Sequence, residues 1–491
     1  MFERLKNVFS IDLRSLAIVR IFVALIILFD LASRFPGIAV WYGDQSVLPT
    51  SLLSTFWAGD WAWSLHLLGG GVWAWIAFLF LVQAIFATFL LLGYQTRVST
   101  IATWILIVSL HNANPLILQG GDFLLRAILF VCMFLPWGAV FSIDAARKGE
   151  PTSMNMLSGW SMAYLLQMGL FYVFASIFKS APEWTSAGSA VYYTLSIDQY
   201  ATSLAKWMLH FPVFLQFLTF AIWYFQHTVL FLLFSPVLLR YFRPLAALAL
   251  AGMHLSFALM MHLGMFSWIT IAALIGFIPP DTWDALLQKV EQHVRSTFNY
   301  LASFFPHVRS KPKKLTNRHI VFASISSLVG VVYILYMFVW QAQNVVAIQG
   351  YLPRGWDTPA KILRIDQRWN LFAPYPYRDD GWFVIPGTLA NGDKIDLYKN
   401  GAPLSYETPE NYFALYPSTR WRKYGIEIRH ALNERYRPYY ASYLCNAWNA
   451  SHKGDSRLTS LEIIYMLDMV PPPGEASPPI EKLVFLEWRC E

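Results

Sequence analysis

The chain has 491 residues, 56% hydrophobic, 17% aromatic and only 14% charged, whereas a soluble domain carries about 25% charged residues. That excess of apolar residues belongs in lipid and excludes an ordinary soluble protein. The net charge is +7, but from Val345 onward 17 Lys+Arg stand against 17 Asp+Glu, so the surplus (20 against 13) lies wholly in residues 1–344. Basic residues gathered in short loops between apolar runs are the positive-inside signature. A nucleic-acid partner would need them clustered on a soluble face, so none is expected.

The basic N-terminus leads into an apolar run over about residues 16–32, longer than the roughly 7–15 residues of a signal-peptide core and carrying Asp30 and Arg34 one helical turn apart. We read a retained first span and a structural ion pair. No Lys or Arg occurs between Arg34 and Arg97, a region that holds the loop WYGDQSVLP and a second span near 72–92. Arg97 marks a cytoplasmic turn, a third span covers about 98–111, and NANPLILQGG returns the chain outward. Asp122 begins the fourth span and suits a helix N-terminus, with Arg126 one turn on as its partner.

Residues 164–188, YLLQMGLFYVFASIFKSAPEWTSAG, form a fifth span whose aromatic helix runs into Lys179 and stops at Pro182. A sixth span is expected over about 211–239, with Arg240 and Arg243 marking its inner end. The apolar run 244–279 is interrupted at His262-Leu263-Gly264 and divides into two spans with a tight outer turn. Residues 281–318 hold Lys289, Arg295, Arg309, Lys311, Lys313, Lys314 and Arg318 and read as a cytoplasmic loop, before a last span at about 320–340. The fold class is therefore an all-α polytopic membrane bundle of about nine transmembrane helices over residues 1–344, followed by a small extracytoplasmic α+β domain over 345–491.

In that second domain, RWNLFAPYPYRDDGW reads as a connector with exposed-type aromatics, and FVIPGTLANGDKIDLY as two strands around an Asn391-Gly392 turn. A helix over about 434–451 and strands near 461–469 and 482–488 follow. Cys445 and Cys490 fall here and could pair if the domain faces an oxidising compartment; Cys132 lies within a span. No cysteine spacing suits a metal or redox site, and no metal is expected.

Lys179 is the leading chemical candidate, because an amine becomes a usable base only where desolvation or a nearby cation lowers its pKa. The competing reading is a lysine that snorkels to headgroups and complements the carbonyl end of its helix. Glu183 follows four residues later, but Pro182 ends the helix between them, so a salt bridge is not implied. His254 sits mid-span, where ionisable groups face a cavity or a partner, or where a neutral histidine packs in the core. His254 and His262, eight residues apart, diverge by about 80° on one straight helix and cannot share a metal. The same two readings apply to Gln226 and His227.

The segments WYGDQSVLP, NANPLILQGGDFLLR, SID, FASIFKSAPEW and HLSFALMMHLGMFSWITIA together resemble the horizontally transferred transmembrane (HTTM) domain, the membrane part of vitamin K-dependent γ-glutamyl carboxylase-like proteins, over about residues 10–280. The resemblance implies a lysine free amine that deprotonates a reduced naphthoquinone, whose reaction with oxygen yields the base that takes a glutamate γ-proton before carbon dioxide adds. The family context Tyr-x-x-Ala-Gly-x-x-Lys-x-x-x-x-Trp is matched at Tyr172, Ala175, Lys179 and Trp184, with Ser176 for the glycine, and His254 with Gly264-Met265-Phe266 resembles a later family segment. Lys179 and His254 are thus the implied catalytic residues, and Tyr172, Trp184 and Phe266 the implied cofactor-binding ones. The carboxylases carry a histidine just before their Ser-x-Asp, where this chain has Ala139, and a large lumenal region of which little is found here.

The expectation is a multi-pass protein of the plasma or inner membrane that acts on a reduced lipoquinone or a related amphipathic substrate with Lys179 as base. The alternative is a non-catalytic module that binds lipid or quinone, or anchors the C-terminal domain to a protein or peptide partner.

Overall fold

The computed structural model describes residues 2–52, 62–149, 151–287, 291–305, 317–345 and 348–491. Lys289, Arg309, Lys311, Lys313 and Lys314 of the expected basic loop lie outside the described residues.

The N-terminal region is helical. In chain order its long helices are α1 (Leu13–Arg34), α2 (Trp73–Leu92), α3 (Thr96–Ala113), α4 (Gly120–Cys132), α5 (Gly159–Ile177), α6 (Pro212–Leu233), α7 (Leu239–Met260), α8 (Phe266–Leu274) and α9 (Asn317–Ala342). Among the described residues, six helical stretches are long and apolar enough to cross a membrane: Leu13–Tyr42, Trp73–Leu92, Gly159–Ile177, Pro212–Leu233, Leu239–Met260 and Ile320–Ala342. Where about nine spans are expected, the other three segments form helices that are too short or too polar to qualify by length and composition. They are mostly buried against neighbouring helices, and a helix enclosed by protein needs no lipid-facing apolar surface.

Local chemistry sets the ends of these helices. Asp12 caps α1 by accepting from the Arg14 amide at 2.7 Å. Arg20, fully buried, binds the Leu90 and Leu91 carbonyls at the end of α2 at 2.5 and 2.8 Å and the Trp137 carbonyl at 3.1 Å. The sixth span ends earlier than expected, at Leu233. Pro236 disfavours helix at Ser235, Leu238 takes a left-handed conformation (φ 55°), and Arg240 and Arg243 fall in the first turns of α7. The tight turn at His262-Leu263-Gly264 does join α7 to α8. Helix α5 is the most enclosed of the six and crosses α9 closely: a Cβ on Gly159 would lie 1.7 Å from the Ser327 carbonyl oxygen, the small-residue packing that apolar helices use.

The C-terminal domain is built on an antiparallel sheet. Strand β1 (Asp379–Val384) and strand β2 (Pro386–Leu389) share one side of the long β5 (Leu458–Met469), while β6 (Glu481–Arg489) takes the other; β3 (Lys394–Asp396) and β4 (Ala402–Pro403) extend the β2 side. Register shifts at Thr388/Leu389 and Ile463/Ile464 bend the sheet into a half-barrel, with α10 (Thr419–Arg429) and α11 (Arg437–Ser451) beside it. The expected turn lies between β2 and β3, with Gly392 at φ 91°, and Cys445 on α11 is disulfide-bonded to Cys490.

This domain sits on one end of the bundle through α10. Arg420 reaches Asp30 at 2.5 Å, Trp421 packs on Trp41 with centroids 4.6 Å apart, and the Tyr424 hydroxyl donates to the Val47 carbonyl at 3.1 Å. The expected Asp30–Arg34 pair forms, at 2.6 Å. The expected Asp122–Arg126 pair does not. Asp122 bonds Arg34 at 2.9 Å and His111 at 3.2 Å, and Arg126 lies 4.0 Å from Asp366, because cross-helix partners outcompete the next turn.

Candidate functional site

Lys179 stands two residues beyond the end of α5. The helix starts at a reciprocal cap in which Ser158 and Ser161 side chains bond each other's backbone N–H. It ends at Ile177, earlier than the expected stop at Pro182, which instead opens a separate short helix, Pro182–Thr185. Lys179 therefore folds back over its own helix end: its Nζ donates to the Ala175 carbonyl at 2.8 Å and to Gln226 Oε1 on α6 at 3.1 Å. It is 6% exposed, with Nζ 5.1 Å from the centroid of the Trp184 ring. Trp184 is fixed by its indole N–H, which donates to the Phe372 carbonyl at 2.9 Å. Burial pushes the Lys179 ammonium down to about 7. Glu183 does not neutralise it; that carboxylate pairs with Arg378 at 2.6 Å.

The amine borders a cavity of about 690 Å³ between α5, α6, α7 and α8, closed at one end by the C-terminal domain. That size lies in the usual range of small-molecule sites. Tyr172, Lys179, Trp184, His254 and Phe266 all line it. His254 is 1% exposed and sits in an aromatic box, with ring centroids 5.9 Å from Tyr172, 5.5 Å from Phe257, 5.5 Å from Phe266 and 6.3 Å from Phe171. Neither of its ring nitrogens, nor the buried Tyr172 hydroxyl, has a hydrogen-bond partner among the described residues. Phe266 approaches closely because Gly120 and Gly121 leave room: a Cβ on Gly121 would lie 2.9 Å from the Phe266 Cα.

Other candidates fall elsewhere. His262 stacks on Phe413 at 3.7 Å, and His227 bonds the Trp223 carbonyl at 2.8 Å; neither lines the cavity, and neither does Ala139. No group of three or more His, Cys, Asp or Glu among the described residues could hold a metal. Gln226, by contrast, is the lysine's side-chain partner.

The segment expected as a connector with exposed aromatics is partly interior. Trp369 is buried edge-on to Phe171, with centroids 4.6 Å apart, while Arg368, Asn370, Leu371, Phe372 and the partly exposed Tyr377 line the cavity; Tyr375 remains exposed. Arg422 and Lys423 of α10 also reach it. Nothing in the sequence marks these two, which come from another domain and carry no motif.

At the far side, the exposed Ala249 and Gly252 of α7 and Phe214 of α6 belong to the lining, so the cavity reaches the surface between two apolar helices. A Cβ on Gly252 would meet nothing within 4 Å.

The profile of the HTTM domain matches residues 9–283. No curated protein and no solved structure matches the chain. The matched stretch covers more than half of the protein and ends just after α8, and the protein accordingly belongs to the HTTM domain family, which includes vitamin K-dependent γ-carboxylase.

Proposed function

We propose that this protein binds a reduced lipoquinone, or a related amphipathic molecule, in the cavity beside Lys179, and that Lys179 is the base acting on it. The observation that carries this reading is the surroundings of the amine. It is buried against two neutral oxygens and an indole face, with no carboxylate among the described residues to hold it as an ammonium. A neutral amine has two N–H groups, which the Ala175 carbonyl and Gln226 Oε1 accept, and this leaves its lone pair free toward the cavity.

The residues present fit such a ligand. Phe171, Phe257 and Phe266 offer flat apolar surface, and the His254 nitrogens and the Tyr172 hydroxyl offer polar groups with unmet hydrogen-bonding capacity. The opening between α6 and α7 suits a molecule that arrives from lipid. A reduced naphthoquinone, when bound, supplies an acidic phenolic hydroxyl and reducing electrons for dioxygen. Lys179 takes up the proton at Nζ. The resulting ammonium is stabilised by the Ala175 carbonyl and Gln226 Oε1, and by the face of Trp184. His254 and Tyr172 orient the ligand.

In the same reading the chain crosses the cell membrane about nine times and the C-terminal domain lies outside. The Cys445–Cys490 disulfide supports that side, since disulfides persist in oxidising compartments.

The test uses the purified full chain in lipid nanodiscs with phylloquinol, reduced phylloquinone, and follows oxygen consumption. Lys179→Ala is expected to lower the rate by about 100-fold or more. The non-catalytic alternative, in which Lys179 only completes its helix end, gives equal rates.

A further inference from the structure

The cavity is lopsided in charge. Lys179, Arg368, Arg422 and Lys423 line it, and among the described residues not one Asp or Glu does. Lys423 is already paired with Glu427, and Arg368 is exposed. Arg422 is different: it is 2% exposed and makes no ion pair with a carboxylate among the described residues. Its Nη1 donates to the Gln199 carbonyl at 3.1 Å, its guanidinium lies 4.1 Å from the Tyr200 centroid, and its Nε finds no acceptor. The Phe413 ring lies at 5.9 Å, and one carbonyl and two ring faces are thin compensation for a buried guanidinium, whose planar fork matches phosphate and carboxylate oxygens.

We propose that the Arg422 end of the cavity receives an anionic group, a phosphate or a carboxylate, on an amphipathic ligand whose apolar body lies along Phe171, Phe257, Met260 and Phe266. The inference rests on the reading of the cavity as a ligand site and adds the charge of what it takes. The C-terminal domain thereby supplies a specificity residue to a site that is otherwise built from the bundle. The anion could be a lipid headgroup or a free phosphate, and the two are separable.

Native mass spectrometry of the full chain in a neutral maltoside detergent would measure retention of dodecyl phosphate, dodecanoate, dodecanol and phylloquinone. Wild type is expected to hold both anionic probes about tenfold more tightly than dodecanol. Arg422→Gln should erase that preference, while Arg422→Lys, which keeps the charge without the fork, should keep part of it. Equal retention of dodecyl phosphate and dodecanol by wild type overturns the proposal, and so does undiminished dodecyl phosphate binding by a folded Arg422→Gln. The wild-type comparison needs no variant and decides the matter even if Arg422→Gln does not fold. Inorganic phosphate that fails to displace dodecyl phosphate supports a lipid-borne anion; displacement at equal concentration overturns the amphipathic part. Anionic probes retained without phylloquinone would remove the quinone reading and keep this one, and phylloquinone retained with no anionic preference would do the reverse.

Discussion

Arg34 and Lys179 are both buried basic side chains near the end of the bundle that carries the C-terminal domain, yet their surroundings are opposite. Arg34 is held by Asp30 at 2.6 Å, Asp122 at 2.9 Å and the Tyr42 hydroxyl at 2.9 Å. Asp30 is shared with Arg420 and Asp122 with His111. That layer is a closed ion network that locks α1, α3, α4 and α10 together. Lys179 has only neutral acceptors and faces a cavity. Burial of a charge is therefore no sign of chemistry by itself; the absence of an opposite charge beside a space large enough for a ligand is the distinguishing feature.

The comparison can be broken by mutation. Arg34→Met removes the buried guanidinium shared by two half-buried carboxylates, leaving Asp30 with Arg420 and Asp122 with His111, and should cost about 3–5 kcal/mol of stability, read by thermal or chemical unfolding in detergent; a loss below about 1 kcal/mol would mean that the network is not what joins these helices. Next, Cys445→Ser opens a link across 45 residues and should cost about 2–4 kcal/mol. Limited proteolysis should find that loss confined to the C-terminal domain, with the bundle intact.

Lys179→Met belongs to the other class. It replaces a buried amine that has no ion-pair partner among the described residues with an apolar side chain of similar length, so stability should change by less than about 1 kcal/mol or rise, although the proposed proton uptake is lost. A destabilisation as large as that of Arg34→Met would erase the distinction between the two regions.

The smallest effect is on pH dependence. The folded value of Lys179, about 7, lies below its ordinary 10.5, so between these values the unfolded chain binds the extra proton and stability rises with pH. Unfolding of wild type across pH 7 to 10 should show that slope, and Lys179→Met should lack it. The neutral fraction of the amine grows over the same rise, so oxidation of phylloquinol should increase through about pH 7.

Much of the bundle was legible because apolar length and basic loops are direct consequences of a lipid solvent. The five residues singled out, Tyr172, Lys179, Trp184, His254 and Phe266, were picked out by motifs of the family resemblance, on a helix and its end and on two helices joined by a tight turn. What could not be read is what depends on distant pairing. Asp122 prefers Arg34, 88 positions away, to Arg126 on its own face, since the next-turn rule knows nothing of a neighbouring helix. Likewise Phe372 and Arg422 reach the cavity from a domain whose local signals concern only strands and turns, and the early end of α6 followed from Pro236 inside a run that looked uniformly apolar.

The most direct test of the central claim is oxygen consumption with phylloquinol at pH 8 by wild type and Lys179→Ala in nanodiscs, each checked for equal unfolding temperature. With Lys179 as the base, wild type turns over and the variant loses about 100-fold or more. Equal rates in the two proteins would contradict that claim.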